Sequence, residues 1–87
     1  MIAAPPSNPL ARASEQQLET LRELRRAGWL YKRAAARLGV PEATVRTRIF
    51  RLLAATGLPD RAEAAYQLAL LDAEKTAHSF VSVDMGA

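Results

Sequence analysis

Cysteine is absent from the chain, and histidine occurs once, at His78. No disulfide framework and no thiolate or multi-histidine metal site is open to it, and a reducing compartment suits it. Long apolar runs are missing too: nothing approaches the roughly 20 residues that a membrane helix needs. Met1 to Leu10 carries proline and asparagine where a signal peptide needs an apolar stretch, so a soluble, cytoplasmic protein is expected. The 4 glycines form no phosphate-cradling loop, and the acidic residues sit where helix caps and helix surfaces are expected. With His78 read as an ordinary exposed residue, no enzyme, no cofactor and no metal is expected.

What remains is a chain of 87 residues, enough for one domain with a small core. Its net charge of +3 is unevenly spread. Between positions 22 and 51 lie Arg22, Arg25, Arg26, Lys32, Arg33, Arg37, Arg46, Arg48 and Arg51, against only Glu23 and Glu42, a balance of +7. From Asp60 onward, Arg61 and Lys75 face Asp60, Glu63, Asp72, Glu74 and Asp84, a balance of −3. A basic middle beside an acidic end suits a localised polyanion-binding face. Taken alone, the same charges read equally well as solvated helix surface that keeps the protein in solution.

The pattern along the chain is helical throughout, with no repeat and no low-complexity tract. Residues 1–13, with Pro5, Pro6 and Pro9, read as a flexible arm. Ser14 with Gln17 makes a capping box that opens a first helix, with Leu18, Leu21 and Leu24 as its buried stripe and Gly28 as its stop. Trp29 and Leu30 lead into a short second helix ending at Leu38, with Gly39 in the turn. Pro41 opens a third helix to about Ala55, stopped by Gly57 and buried along Val45, Ile49 and Leu52. Asp60 and Glu63 cap a fourth helix to about Lys75. Residues 76–87 lack helical period and form a tail, mobile or docked through Phe80, Val81 and Val83. The folded domain is thus expected over 14–75 and all-α, with four helices.

Ala35, Gly39 and Val45 stand at the spacing of a helix-turn-helix. A small residue lets the helices approach, a glycine accepts positive φ, and a branched side chain fills the angle between them. Projected at about 100° per residue, Ala43, Thr47, Phe50, Arg51 and Ala54 lie opposite the buried edge of the third helix, flanked by Arg46 and Arg48. Arginine can bridge guanine O6 and N7, and a threonine methyl can meet that of thymine. Phe50 is the odd residue: it could touch a thymine methyl, lean over Leu53 and Ala54 at the fringe of the core, or meet a partner protein.

From Ser14 to about Leu70 the chain resembles the LuxR-type (GerE) helix-turn-helix domain of bacterial transcription regulators. The resemblance rests on Gly28, Lys32, Ala35, Arg37-Leu38-Gly39-Val40, Glu42-Ala43-Thr44-Val45-Arg46-Thr47, and Gly57-Leu58 followed by Arg61-Ala62-Glu63-Ala64. It implies a third helix that reads DNA, with Arg46 and Thr47 at the groove, and a fourth that supports homodimerisation. Five positions depart from the family pattern: Arg48 replaces a common histidine, Phe50 a basic or polar residue, Arg33-Ala34 a Glu-Ile pair, and Thr56 a leucine. Members of the family usually carry a receiver or ligand-binding domain as well; the resemblance covers the DNA-binding unit alone, so control by phosphorylation or autoinducer is not among its expectations.

The expected function is therefore sequence-specific binding of double-stranded DNA by a transcription regulator, through the helix 41–55. Arg46, Thr47 and Phe50 are expected to read bases. Lys32, Arg33, Arg37, Thr44, Arg48 and Arg51 are expected to contact phosphates, with Arg25 or Arg26 as further candidates. On the fourth helix, Ala62, Ala65, Tyr66 and Ala69 are expected to face the core. Ala64, Leu68 and Leu71 are expected to face a second copy, unless the tail folds back over them. The competing function is a protein-interaction module on the same scaffold: an RNA polymerase adaptor, or a phage-type modulator that binds a host regulator.

Overall fold

Four α-helices form in a computed structural model of the chain: α1 (Glu15–Arg26), α2 (Tyr31–Leu38), α3 (Glu42–Thr56) and α4 (Arg61–Gly86), preceded by a 3₁₀ turn at Pro9–Arg12. The structure describes residues 8–86, with side chains through Ala73. The domain is all-α, as the sequence pattern requires. None of its described helices is long and apolar enough to cross a membrane.

Local chemistry sets the ends of α1. The Ser14 hydroxyl accepts from the Gln17 N–H, and the Gln17 side chain accepts from the Ser14 N–H, so the capping box is complete. At the other end, Trp29 N–H reaches the Leu24 carbonyl and Gly28 N–H the Arg25 carbonyl, the paired closure of a Schellman motif. Trp29 as well as Gly28 takes a positive φ, 68° and 70°. For a tryptophan that is a strained conformation, costing on the order of 1–2 kcal/mol. The chain around it offsets that cost: Trp29 packs against the core, and its carbonyl accepts from Arg61 Nη1 at 2.8 Å.

The turn between α2 and α3 is the tight one. Gly39 has φ 71°, and Val40 N–H closes back onto the Ala35 carbonyl at 3.1 Å. Ala35 is 6% exposed and Val45 0%, so the small residue and the branched one meet the demands of a close helix crossing. Leu18, Leu21, Leu24, Ile49 and Leu52 complete the centre of the core, all on the faces their spacing predicts. Thr20 and Thr56 are buried among them. Their hydroxyls donate to the Gln16 and Leu52 carbonyls, both at 2.8 Å, so a polar residue at position 56 leaves no unsatisfied group.

Two expectations are corrected. The arm expected to be flexible over 1–13 is anchored from Asn8 onward: Leu10 is 0% exposed in the core, and Asn8 Nδ2 donates to the Gln67 carbonyl of α4. Asn8 also caps the turn by accepting from Leu10 N–H, while Pro9 pre-sets φ at its first position. One buried leucine outweighs a proline-rich context. Residues 1–7 lie outside those described. The second correction is the length of α4, which continues past Lys75 to Gly86. No proline interrupts it and the only glycine comes at its end, and the β-branched residues there cost a helix little. Whether Phe80, Val81 and Val83 dock falls outside the described side chains.

Candidate nucleic-acid interface

The exposed side of α3 carries Ala43, Arg46, Thr47, Phe50, Arg51 and Ala54, all open to solvent. A helix of 15 residues is about 22 Å long, enough to lie along a major groove. Phe50 is 73% exposed, which overturns its reading as a fringe of the core; Leu53, rotated toward the buried edge, packs there instead. Arg48 is only half-exposed, because about 40° separates it from Leu52 on the helix wheel. Thr44 is half-exposed in the first turn of α3, its N–H donating to the Pro41 carbonyl at 3.0 Å.

Both helices of the pair start without a side-chain cap. Leu30 precedes α2 and Pro41 precedes α3, and neither offers an acceptor to the first N–H groups. Those N–H groups and the positive ends of the helix dipoles are left for solvent or for an anion. Beside the start of α2 an open cleft of about 690 Å³ is lined by Trp29, Tyr31, Lys32, Arg33, Arg46 and Arg61, together with Glu42. The fold therefore brings Lys32 and Arg33 of α2 to the same place as Arg46 of α3. Among the described residues, Lys32, Arg33, Arg48 and Arg51 have no acidic partner within 4.0 Å.

Other basic residues are already committed. Arg37, expected at a phosphate, donates from Nε to Glu23 Oε1 at 2.7 Å and pins α2 to α1. Arg26 joins the same Glu23 carboxylate. Arg25 Nη2 reaches Asp72 Oδ2 of α4 at 2.6 Å, with Arg22 at 3.6 Å from its other oxygen. The Arg37 hydrogen bond, opposed by partial desolvation and aided by Arg26, holds the Glu23 carboxyl below its ordinary range. At Asp72 burial pushes the other way, but the hydrogen bond and charge of Arg25, helped by Arg22, prevail and hold its carboxyl below the ordinary range too. Arg37 and Arg25 thus tie α1 to α2 and α4, and a phosphate contact by Arg37, Arg25 or Arg26 would compete with an ion pair inside the domain.

Arg46 lies between the two groups. Its Nη2 and Nε sit 2.8 and 3.2 Å from one oxygen of Glu42, a turn earlier on α3, and its Cζ lies 4.3 Å from the centre of the Tyr31 ring. Arg61 of α4 also stands over Tyr31, at 5.0 Å. Glu42 was legible in the sequence, four residues before Arg46 on one helical face. Tyr31 and Arg61 were not, because only the crossing of three helices brings them to Arg46.

The expected dimer residues are also corrected. Ala64 and Leu68 are 0% exposed and belong to the core of the single chain, with Leu71 packed against it. The face expected inside is the one outside: Ala62, Tyr66, Ala69, Leu70 and Ala73 are exposed, Tyr66 by 58% and Leu70 by 44%. Leucine outweighs alanine in deciding which side of an alanine-rich helix is buried.

Compared with known proteins, the chain matches no family model, no curated protein and no solved structure.

Proposed function

We propose that this protein is a transcription regulator that binds double-stranded DNA sequence-specifically, with α3 in the major groove. The observation that carries the reading is the pairing of an exposed α3 face, bearing Arg46, Thr47 and Phe50, with two uncapped helix starts and the cations Lys32, Arg33 and Arg51, which have no acidic partner among the described residues. Base edges would be read by Arg46, Thr47 and Phe50, and phosphates held by Lys32, Arg33, Arg51 and the first N–H groups of α2 and α3. Thr44 and Arg48, both half-exposed, would add contacts at the rim.

Two copies would pair through the outer side of α4. Ala62, Tyr66, Ala69 and Ala73 are spaced by four, three and four residues, a seam that a second helix can fill. The test is selection of bound sequences from a random duplex pool, repeated over a salt series. An enriched, two-fold related motif whose binding weakens steeply with salt is the expected result. No enrichment, or no bound DNA at low salt, would overturn the reading. The 73% exposure of Phe50 favours one alternative, a protein-binding module that presents this ring to a polymerase subunit or another regulator. It predicts no shift of any duplex and loss of the protein complex in Phe50→Ala.

A further inference from the structure

In the free protein the arginine at the centre of the α3 face is held, and the way it is held bears on what it can accept. Glu42 Oε2 takes the Nε–H and one Nη2–H of Arg46, at 3.2 and 2.8 Å, and the Tyr31 ring lies 4.3 Å from the guanidinium carbon. Tyr31 is the first residue of α2 and also lies under Arg61, whose Nη1 is fixed by the Trp29 carbonyl at 2.8 Å. The platform is therefore set by α2 and α4, and the carboxylate by α3. With 58% of its side chain exposed, the Arg46 guanidinium stays accessible while so held.

A guanidinium carries five N–H groups, and this arrangement uses two. The outward pair from Nη1 and Nη2 remains, at the spacing that bridges guanine O6 and N7. A guanine can therefore be engaged with Glu42 in place, since both base acceptors are neutral. A phosphate at the same edge would bring a second negative charge to a guanidinium already paired with Glu42, and like charges brought together across an interface are unfavourable. Lys32 and Arg33, in the same cleft and without acidic partners among the described residues, carry no such restriction.

We propose that Glu42 and Tyr31 are specificity-determining positioning residues: they hold Arg46 against the phosphate backbone's pull and leave it one edge fitted to guanine. This rests on the DNA-binding reading above. It assigns a further function to an acidic residue that, in the first turn of α3, also faces the positive end of the helix dipole.

The experiment compares wild type, Glu42→Gln, Tyr31→Ala and Tyr31→Phe on a selected duplex and on a scrambled duplex of equal length, at one salt concentration. Glu42→Gln should tighten binding to the scrambled duplex about two- to fivefold, the scale of one exposed charge interaction, while changing binding to the selected duplex less. Tyr31→Ala should lower the ratio of the two affinities, and Tyr31→Phe should restore it. Equal factors on both duplexes would overturn the specificity role while leaving DNA binding intact. A wild type that binds neither duplex would overturn the DNA-binding reading, and the specificity role with it. The clamp has its own readout without DNA. In ¹⁵N spectra of the free protein the Arg46 Nε–H should exchange slowly, and its shift should move in Glu42→Gln and Tyr31→Ala. An Arg46 signal identical in all four proteins would overturn the clamp itself.

Discussion

α1 and α4 begin on side-chain caps, Ser14 and Asp60, the latter accepting from Glu63 N–H at 2.9 Å; α2 and α3 begin on Leu30 and Pro41, which cap nothing. The same division runs through the arginines. Arg22, Arg25 and Arg26 of α1 are all answered by Asp72 and Glu23, whereas on the inner pair only Arg37 and Arg46 meet an acid, and Lys32, Arg33, Arg48 and Arg51 find none among the described residues. The outer helices satisfy their polar groups within the chain. Among the described residues the inner pair leaves its helix starts and most of its cations unanswered, which is destabilising in isolation and suits a surface that meets an anion. On the proposed function, stability and binding fall to different helices of one small domain.

Breaking what the two pairs share should have the largest effect. Leu52 is fully buried in the core that α1, α3 and α4 have in common. Leu52→Ala should cost about 2–5 kcal/mol in denaturant unfolding, enough to remove most of the stability of a domain this size. A two-step transition, with one pair surviving, would show that the pairs are energetically separate.

Next in size is the exchange of one arginine from each pair. Arg46→Ala should weaken binding to the selected duplex by about 1–3 kcal/mol and leave the melting temperature unchanged. Arg25→Ala, which strips a partner from half-exposed Asp72, should lower stability by up to about 1 kcal/mol and leave binding unchanged. If the two variants behave alike, the division of labour is wrong.

The caps sharpen the comparison further. Asp60→Ala should cost about 1 kcal/mol of stability with no effect on DNA. Leu30 is 53% exposed with extended backbone angles, already in the conformation of a helix cap. Leu30→Ser should stabilise the fold by about 0.5–1 kcal/mol, while weakening DNA binding because its hydroxyl occupies N–H groups that a phosphate would take. Calorimetry and a titration on the same sample read both.

The smallest effect is that of pH. Glu23 and Asp72 both have carboxyls held below their ordinary values, so each contributes stability above the ordinary carboxylate range and loses it as pH falls through the lowered value. The melting temperature should be flat from neutrality to about pH 5 and decline below about pH 4. Asp72→Asn should make that decline shallower; an unchanged slope would remove Asp72 from the account.

Much of this was legible residue by residue. Ser14 with Gln17, Asp60 before Glu63, and Gly39 between Ala35 and Val45 each act over a few residues, so their neighbours in sequence are their partners in space. Leu10 was missed because a proline-rich context reads as an arm, although Asn8-Pro9 is itself a turn-opening pair. The two sides of α4 were exchanged for a different reason. Ala62, Ala65, Tyr66 and Ala69 are about as apolar in pattern as Ala64, Leu68 and Leu71, and alanine fits a core or a surface equally well.

By itself, then, the sequence determined the number and starts of the four helices, the tight turn and the exposed row on α3, though not the end of α4, because these depend on periodicity and short-range hydrogen bonds. Tertiary structure alone decided which side of α4 is buried, which arginines are spent on Glu23 and Asp72, and that Tyr31 lies beneath Arg46. Those facts depend on how helices distant in sequence cross. An arginine is the same residue whether it ends against a carboxylate 47 positions away or faces open solvent.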